Sequence, residues 1–313
     1  MDNLGDIRLF VEAANLGGLS AAGRKLGLSP AAASARLVKL EAALHTRLFE
    51  RTTRQLRLTE EGRMYLAHCQ LALQALDDAH AALQAGSTVV RGKVRISATS
   101  DFGRHVLKGW LDEFNQHYPE VTFGLVLSDS LANLLQDDLD LAVRFGVPPD
   151  SALVARRLAS NRRVLCASPE YLAKHGTPGH PRDLERFPCI GTASGFTNEW
   201  HFARGEEMAA YTVPLAAARE TNDGAVAREW AVAGYGIAMK SIWDIGADLR
   251  AGRLSVVMPE WRSPDAPVHA IYQRNRYMAP RVRALLDFLI ERFNTVSGEL
   301  DAYLNPPAHE SPS

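Results

Sequence analysis

The first fifty residues contain three stretches with helical spacing, and the short turns between them leave the chain few possible folds. Gly17-Gly18 closes the first stretch, whose apolar residues recur every three or four positions: Leu4, Ile7, Phe10, Val11 and Ala14. Ser20 is a candidate N-cap for a second helix through Leu26, and Gly27 suits the C′ position because glycine readily adopts a positive φ. Ser29-Pro30 combines an N-cap with a proline at the first helical position and opens a third helix. The pattern predicts a helix-turn-helix.

The third helix extends to about Leu44 and has two different faces. One stripe is apolar and is expected to face the core: Ala33, Leu37, Leu40 and Leu44. The opposite face carries mostly small residues, with Arg36 on its flank: Ala31, Ala32, Ser34, Ala35, Val38 and Lys39. Small side chains let a helix lie close to the floor of a DNA groove, where Ser34 can contact bases or phosphates. For any single alanine, high helix propensity is the simpler explanation.

Residues 47–59 alternate in character and fold back around Thr53-Arg54, which predicts a two-stranded wing. Side chains at such a turn are exposed, so the tip is expected to reach phosphates or a minor groove. The candidate DNA-binding residues of the whole segment are Ser20, Ser29, Ala31, Ala32, Ser34, Ala35, Arg36, Lys39, Arg51, Thr52 and Arg54.

The charge distribution agrees with a nucleic-acid partner. The net charge of the chain is −1, but residues 1–63 carry +3 and residues 64–313 carry −4. A compact basic segment is a candidate nucleic-acid footprint. A solvated basic surface would give the same count, so the helical pattern has to decide between the two.

Sequence motifs in the same segment match a known family. They are the runs 9–14 (LFVEAA), 19–30 (LSAAGRKLGLSP), 40–44 (LEAAL), 47–52 (RLFERT) and 58–62 (LTEEG). Over about sixty residues the chain resembles the N-terminal winged helix of LysR-type transcriptional regulators. Many members carry Ser-Arg in the middle of the recognition helix, whereas this chain has Ser34-Ala35 with the arginine at Arg36. This difference shifts base readout towards Ser34, Arg36 and DNA shape.

A long helix is predicted after the wing, because Thr59 can act as an N-cap and Glu60 and Glu61 complement the helix dipole. Its apolar seam has a period of 3.5 residues: Leu66, Cys69, Leu73, Leu76, His80 and Leu83. We expect this seam to be buried against a second copy of the chain, with His80 either a pH-sensitive register residue or an inert interface histidine. Two recognition helices held in this way would read an interrupted palindrome with half-sites about 34–36 Å apart. The resemblance implies the same dimer, usually assembled further to a tetramer.

From Arg91 onward strands alternate with helices, which predicts two α/β lobes around a cleft. Ligands of open α/β sheets bind beyond the carboxyl ends of the strands, and helix N-termini there favour anions. The candidate effector-binding residues are Thr99, Ser100, Asp101, Phe102, Ser128, Arg144, Phe145, Thr192, Ser194, Asn222 and Asp223. For each polar residue taken singly, N-capping is the simpler role, and for the phenylalanines core packing is. Arg144 fits a carboxylate partner or a structural ion pair equally well.

The resemblance continues more weakly through residues 140–146, 167–172 and 233–238, which look like the co-inducer-binding domain of the same family. It implies a periplasmic-binding-protein-like fold and an effector between the lobes, often a small organic or aromatic acid. We therefore predict a winged helix-turn-helix domain, mainly α, at 1–58, a dimerisation helix at 59–88 and an effector domain at 91–295. Lobe I comprises 91–162 and 267–295, lobe II comprises 163–266, and 296–313 is predicted to be a flexible tail.

Other functional classes find less support in the sequence. It contains no G-x-S-x-G, H-E-x-x-H or G-x-x-x-x-G-K-[ST] motif and no histidine pair with metal-ligand spacing, so we expect neither enzyme activity nor a metal or other cofactor. Cys69, Cys166 and Cys189 form no C-x-x-C and are expected to be buried thiols. Without a signal peptide or membrane span, the expected location is the cytoplasm.

The sequence therefore predicts a regulator that binds double-stranded DNA, responds to a small molecule and has RNA polymerase as a further candidate partner. A solute-binding protein or an enzyme built on the same lobes remains the alternative.

Overall fold

The computed structural model describes residues 4–50, 56–83, 90–129, 139–146, 153–192, 199–214, 219–273 and 278–304. The chain divides into two compact units, 1–88 and 89–313, each with its own apolar core. The first unit is called the head here and the second the regulatory unit.

The head is mainly helical. Its elements are α1 (Leu4–Leu16), α2 (Leu19–Lys25), α3 (Pro30–Ala43), β1 (Phe49–Glu50), β2 (Arg57–Leu58) and α4 (Glu60–Leu83). Strands β1 and β2 pair antiparallel and form the base of the predicted wing.

Most of the predicted helix boundaries in the head are confirmed. Ser29 caps α3, its hydroxyl accepting a hydrogen bond from the Ala32 amide, and Gly27 has φ +68°. Thr59 caps α4, its Oγ1 accepting from the Gly62 amide at 2.9 Å. The N-cap predicted at Ser20 is wrong, because α2 begins at Leu19 and its N-cap is Gly18, two positions earlier, with no side-chain cap.

The first half of the α4 seam packs inside the head. Cys69 and Leu73 are buried in the core formed by α1 and α3, and Leu66 packs against that core. The prediction that the seam faces a second copy is therefore wrong for Cys69 and Leu73, because periodicity identifies an apolar face but not what covers it. For Leu66, which is half-buried, it stays a prediction. Leu76 is 38% exposed and remains free for a partner. The side chains of His80 and Leu83 lie outside the described residues.

The regulatory unit alternates strands and helices. Its elements in chain order are β3 (Gly92–Ala98), α5 (Ser100–Phe102), a π-helical turn (Gly103–Leu107), α6 (Lys108–His117), β4 (Val121–Leu127), β5 (Leu141–Phe145), β6 (Leu153–Ala159), β7 (Arg163–Ala167), α7 (Pro169–His175), a 3₁₀ helix (Pro181–Arg186), β8 (Cys189–Thr192), β9 (Glu199–Arg204), β10 (Glu207–Thr212), β11 (Arg219–Thr221), α8 (Gly224–Val232), β12 (Ile237–Ser241), α9 (Ile242–Arg250), β13 (Ser255–Val257), β14 (Val268–Gln273) and α10 (Pro280–Leu304).

These elements form two lobes. The sheet of lobe I has the order β4-β3-β5-β14-β6, and that of lobe II the order β11-β8-β12-β7-β13. The hairpin β9–β10, which the sequence pattern did not reveal, stands beside the second sheet. The chain crosses between the lobes after β6 and again before β14. The two crossings are joined at Asn161, whose carbonyl accepts a hydrogen bond from the Ala266 amide at 2.9 Å and whose side chain donates to the Ala266 carbonyl at 2.8 Å.

Helix α10 continues to Leu304, so the flexible tail predicted from residue 296 is wrong for residues 296–304. Leu300 is 2% exposed, and it contacts α9 where Gly246 leaves room for it. Pro306-Pro307 and the residues around it lie outside the described ranges.

Candidate functional site: a DNA-binding face and an interlobe cleft

The outer face of α3 is exposed as its sequence predicts. Ala31, Ser34, Ala35 and Lys39 are exposed, and Val38 is 51% exposed, while Ala33, Leu37 and Leu40 face the core. Ala32 is half-buried. The N-terminal half of this helix thus offers a narrow surface of small side chains with one hydroxyl, which can approach a groove floor closely.

Two of the predicted DNA contacts have a different environment from the one expected. The Arg36 guanidinium Nε lies 3.7 Å from the Asp6 carboxylate of α1, which is itself buried. Arg36 is therefore held towards α1 while 41% of its side chain stays exposed. Ser20 is exposed within the first turn of α2. Arg51, Thr52 and Arg54 lie outside the described residues.

A buried carboxylate attaches the wing to α3. Glu41 Oε1 accepts hydrogen bonds from the amides of Leu48 and Phe49 at 2.8 and 3.2 Å, and Arg47 pairs with Glu41 Oε2 at 3.3 Å. On the other side of the wing, Gly62 of α4 lies so close to Leu48 that a Cβ would overlap the Leu48 carbonyl oxygen. The wing is thus fixed to the helices before and after it.

In the regulatory unit the ends of several strands meet across the lobes. Ser100, at the start of α5 in lobe I, donates its hydroxyl to Asp223 Oδ1 at 2.6 Å, and Arg104 contacts Asp223 Oδ2 at 3.2 Å. Asp223 is the N-cap of α8 in lobe II, where it accepts from the Ala225 amide. Burial alone would raise the pKa of Asp223, but the Ser100 hydroxyl, the Ala225 amide and Arg104 outweigh it and lower that pKa.

A second carboxylate lies between the same two helices. Asp129 follows β4, and its Oδ1 accepts from the Ser100 amide at 2.7 Å while its Oδ2 accepts from the Gly224 amide at 2.8 Å. Ser100 and Gly224 are the first residues of α5 and α8, so one carboxylate binds both helix N-termini. Thr99 occupies the N-cap position of α5 without capping it.

Lys240 of β12, in lobe II, contacts groups of both lobes at this edge. Its side chain is 5% exposed. The ammonium group lies 2.6 Å from Asp101 Oδ2 and 3.3 Å from Asp244 Oδ2, and it donates to the Gly224 carbonyl at 2.8 Å. Burial opposes the charge on Lys240, but the two carboxylates together raise its pKa. Burial raises the pKa of Asp244 to about 6, although the Lys240 charge opposes that shift. The His105 ring pairs with Asp101 at 2.9 Å.

The remaining predicted effector residues divide into two groups. Phe102 is fully buried and stacks on Phe293 with centroids 5.6 Å apart, so the structure makes it a core residue and corrects its assignment as a cleft wall. Arg144 is also buried, with Nη2 donating to Ser97 Oγ at 2.7 Å. Burial lowers the pKa of Arg144 to about 10, although the Asp129 carboxylate opposes the shift. Arg144 pairs with no carboxylate within hydrogen-bond distance among the described residues.

The other members of the set lie nearer the surface. Phe145 is half-buried with its ring edge against Phe102, Ser128 and Thr192 are half-buried, and Asn222 is exposed. Ser194 lies outside the described residues. Thr192 pairs with Thr221 in the parallel β8–β11 ladder, which places it at the carboxyl end of its strand as predicted.

Four residues of this edge were missed by sequence reasoning: Arg104, Asp129, Lys240 and Asp244. A lone lysine within the apolar run Ile237–Ser241 was a signal that could have been used, because a buried lysine needs carboxylate partners. Asp129 has no comparable local signal, since its two partners come from residues 29 and 95 positions away in the sequence.

A basic winged helix followed by a two-lobed α/β binding domain defines a DNA-binding regulator that responds to a ligand. The family model described as the LysR substrate binding domain matches residues 87–294, and the model of the bacterial regulatory helix-turn-helix protein, lysR family, matches residues 4–63. The chain belongs to the LysR-type transcriptional regulators, as the sequence motifs indicated.

Characterised relatives carry the same two domains over nearly their whole length. The chain is 34% identical over 296 residues to an HTH-type transcriptional repressor of Pseudomonas aeruginosa, covering 94% of this chain and 93% of that protein. It is 34% identical over 292 residues to the HTH-type transcriptional regulator DmlR of Escherichia coli, covering 93% and 94%. The solved structure of CrgA, a LysR-type regulator from Neisseria meningitidis, aligns with a TM-score of 0.61 at 32% identity and covers 94% of this chain and 99% of CrgA.

Within the described ranges, no group of three or more His, Cys, Asp or Glu side chains is placed to hold a metal ion. None of the helices within those ranges is both long and apolar enough to cross a bilayer. All three cysteines are buried free thiols, as predicted, and burial raises the pKa of Cys166 and of Cys189 to about 12.

Proposed function

We propose that this LysR-type regulator binds an interrupted palindrome in duplex DNA as a homo-oligomer, and that a small organic acid between the two lobes modulates this binding. The exposed face of α3, with small side chains around Ser34 and Lys39, is the observation that carries the DNA-binding part. It lies on a unit with excess positive charge, which attracts the phosphate backbone without regard to sequence.

The oligomer rests on the second half of α4. Because Cys69 and Leu73 are buried inside the head, the seam for a second copy is centred on exposed Leu76 and positions 80 and 83, with half-buried Leu66 at its edge. A homodimer through this half-helix, assembled further to a homotetramer, would hold two α3 helices for two half-sites.

The acid effector is supported by the helix N-termini that meet at the cleft. Amides of α5 and α8 converge at this edge, and such amides bind anions. An effector acts on DNA binding only if its affinity differs between two arrangements of the oligomer. RNA polymerase is a further proposed partner, and the cytoplasm, where bacterial DNA lies, is the proposed location. We propose that the lobes bind their ligand without converting it.

The DNA-binding proposal is tested by measuring affinity for duplex DNA from around the coding region at several salt concentrations. Lys39→Ala should weaken binding to all sequences and reduce the slope of log K against log[salt] by about 1, because one phosphate contact is lost. Ser34→Ala should instead change the preferred sequence.

Arg204→Ala is the matched control for the loss of one positive charge. Arg204 pairs with Glu207 on the β9–β10 hairpin of the regulatory unit, far in sequence from the head. Its loss should leave affinity and salt slope unchanged. The proposal fails if the wild-type affinity does not depend on salt, or if the control weakens binding as much as Lys39→Ala does.

A further inference from the structure

The two anion-binding amides at the interlobe edge already have a carboxylate on them. Asp129 Oδ1 accepts from the Ser100 amide at 2.7 Å and Asp129 Oδ2 accepts from the Gly224 amide at 2.8 Å. Helix α8 has nine residues, and α5 continues through the π-helical turn into α6 without a break, so both helices have a substantial positive N-terminus. One side chain thus bridges two helices of different lobes.

No local cap replaces Asp129 at either amide. Thr99, at the N-cap position of α5, makes no side-chain capping bond, and Asp223 directs its cap to Ala225 rather than to Gly224. Gly224 also lacks the Cβ that would lie 3.4 Å from Asp129 Oδ2 and 3.2 Å from Lys240 Nζ. The carboxylate therefore sits in a cradle built from two backbone amides and a glycine.

A second carboxylate cannot share this cradle. Asp101, Asp223 and Asp244 lie at the same edge and are already paired with Lys240 and Arg104, and Asp129 itself would face any incoming acid at hydrogen-bond distance. Like charges at such distances repel strongly where water is excluded. An acidic ligand that uses the two amides has to take the place of Asp129.

We propose that Asp129 is the resident occupant of the anion cradle between the lobes, that it holds the lobes together when no effector is bound, and that a carboxylate effector acts by displacing it. The inference rests on the proposed function in taking the effector to be an acid bound at this edge. It adds that Asp129 competes with the effector for the two amides, and that the contacts of Asp129 with these amides are the ones that change when the effector binds.

The competition also restricts the effector. A tethered carboxylate has a high effective concentration, so a free acid that offers only its carboxylate cannot displace it. Further groups of the effector have to supply affinity. Thr99 Oγ1 and Arg144 Nε are buried and without a hydrogen-bond partner in the described part of the chain, which makes them two donors for such groups. We expect the effector to carry hydrogen-bond acceptors beyond its carboxylate.

The test removes the carboxylate of Asp129 by mutation and supplies a carboxylate from solution as acetate. Hydrogen exchange of the backbone amides is measured on the full chain for wild type, Asp129→Ala and Asp129→Asn, in sodium acetate and in sodium chloride of equal ionic strength. In Asp129→Ala we expect exchange at Ser100 and Gly224 to be faster by about tenfold, because both amides lose a charged acceptor. Acetate should restore the protection, chloride should not, and the wild type should respond to neither.

Asp183→Ala is the matched control. Asp183 Oδ2 also accepts from two backbone amides, those of Gly179 and His180, but both lie in one turn of lobe II. Its loss should increase exchange in that turn and leave Ser100 and Gly224 protected. Should Asp129→Ala fail to fold, Asp129→Asn decides. Asparagine has one acceptor oxygen in place of two, so one of the two amides should lose protection and the other keep it.

Three results would overturn the inference: unchanged protection at Ser100 and Gly224 in both Asp129 variants, failure of acetate to restore protection in Asp129→Ala, or an effect of acetate that chloride reproduces. The assay uses neither DNA nor an effector, so it separates the two proposals. Rescue by acetate, combined with operator binding that no organic acid alters, would contradict the proposed function alone. Absence of rescue, combined with an acid that alters operator binding, would contradict the role of Asp129 alone.

Discussion

The head and the regulatory unit use charged side chains in different ways. In the head, Lys25 pairs with Glu12, 13 residues away, and its side chain is 58% exposed. In the regulatory unit, Lys240 is 5% exposed and its partner Asp101 lies in the other lobe. Ser100 and Asp223 are 123 residues apart in the sequence. The Lys25–Glu12 pair of the head is exposed and leaves the DNA-binding face open, whereas the Lys240–Asp101 and Ser100–Asp223 contacts of the regulatory unit are long-range and attach one lobe to the other.

The difference decides what each unit can do. A rigid surface formed by local structure suits a partner with fixed geometry, such as duplex DNA. Buried charges that cross a cleft suit a response, because a ligand that breaks one of them alters the balance between open and closed lobes. Four experiments test how far this comparison extends.

The largest effect is expected where a buried charge loses its partner. Lys240→Met leaves Asp101 and Asp244 without their shared cation and should lower the free energy of unfolding of the regulatory unit by about 3–5 kcal/mol. Lys25→Ala should cost less than about 1 kcal/mol, because exposed ion pairs contribute little. All five tryptophans lie beyond residue 88, so tryptophan fluorescence in urea follows Lys240→Met in the regulatory unit, and circular dichroism follows Lys25→Ala in the helical head. If both variants lost less than about 1 kcal/mol of unfolding free energy, the distinction between buried and exposed ion pairs would be contradicted.

Glu41 is a buried carboxylate in the head. Its replacement tests whether the stability that a charged side chain contributes depends on the unit in which it lies or on how deeply it is buried. Glu41→Ala leaves the amides of Leu48 and Phe49 without their acceptor and should cost about 2–3 kcal/mol. Circular dichroism should show the loss, and tryptophan fluorescence should not. Glu60→Ala, at a carboxylate exposed to 82%, is the control and should cost less than about 1 kcal/mol, through its pair with Arg63 and the dipole of α4.

The pH dependence of the regulatory unit should depend on Asp244. Its pKa is raised by burial to about 6 from a usual value of 3.8, so between these values the folded state holds a proton that the unfolded state lacks. Stability from this group is therefore full below pH 3.8 and is lost as the pH rises through about 6, by about 3 kcal/mol in all, of which about 2 kcal/mol falls above pH 4.5. Asp244→Asn, measured by urea unfolding from pH 4.5 to 6.5, should remove that decline. A decline of unchanged size in the variant would contradict the assignment.

The smallest effect is expected at a local contact that both units share, a serine N-cap. Ser29→Ala in the head and Ser168→Ala in the regulatory unit each remove a hydroxyl that caps a helix beginning with proline. Each should cost about 1 kcal/mol, the usual value of such a cap. Urea unfolding followed by both signals should assign each loss to its own unit. A much larger loss for Ser168, which is buried, would show that burial matters even for a local contact.

The same division explains what the sequence could predict. Ser29, Gly27 and Thr59 were placed correctly because a cap depends on residues three or four positions away. Ser20 was misplaced because Gly18 can also adopt the extended N-cap conformation, at φ −165°. The α4 seam was assigned to a second copy because its period does not show that Tyr65 of the same helix packs on Phe10, with centroids 5.5 Å apart.

The regulatory unit followed the predicted order of strands and helices, but its cleft could not be derived. Asp129 is one aspartate among many until β4 places it beside both helix N-termini. Lys240 becomes a connection between lobes only after β12 has paired with β7 and β8. Chemistry that depends on such distant partners is visible only in the folded chain.

The close approach of Gly62 to Leu48 has a practical consequence for protein engineering. Residue 62 has no room for a side chain, because the backbone of α4 packs directly against the backbone of the wing at Leu48. The wing and the start of α4 therefore have to be kept together. A hybrid sensor that combines this head with another receptor domain should therefore keep α4 intact and place the junction after Leu83. A fusion point between residues 48 and 62 would separate surfaces that fold only together.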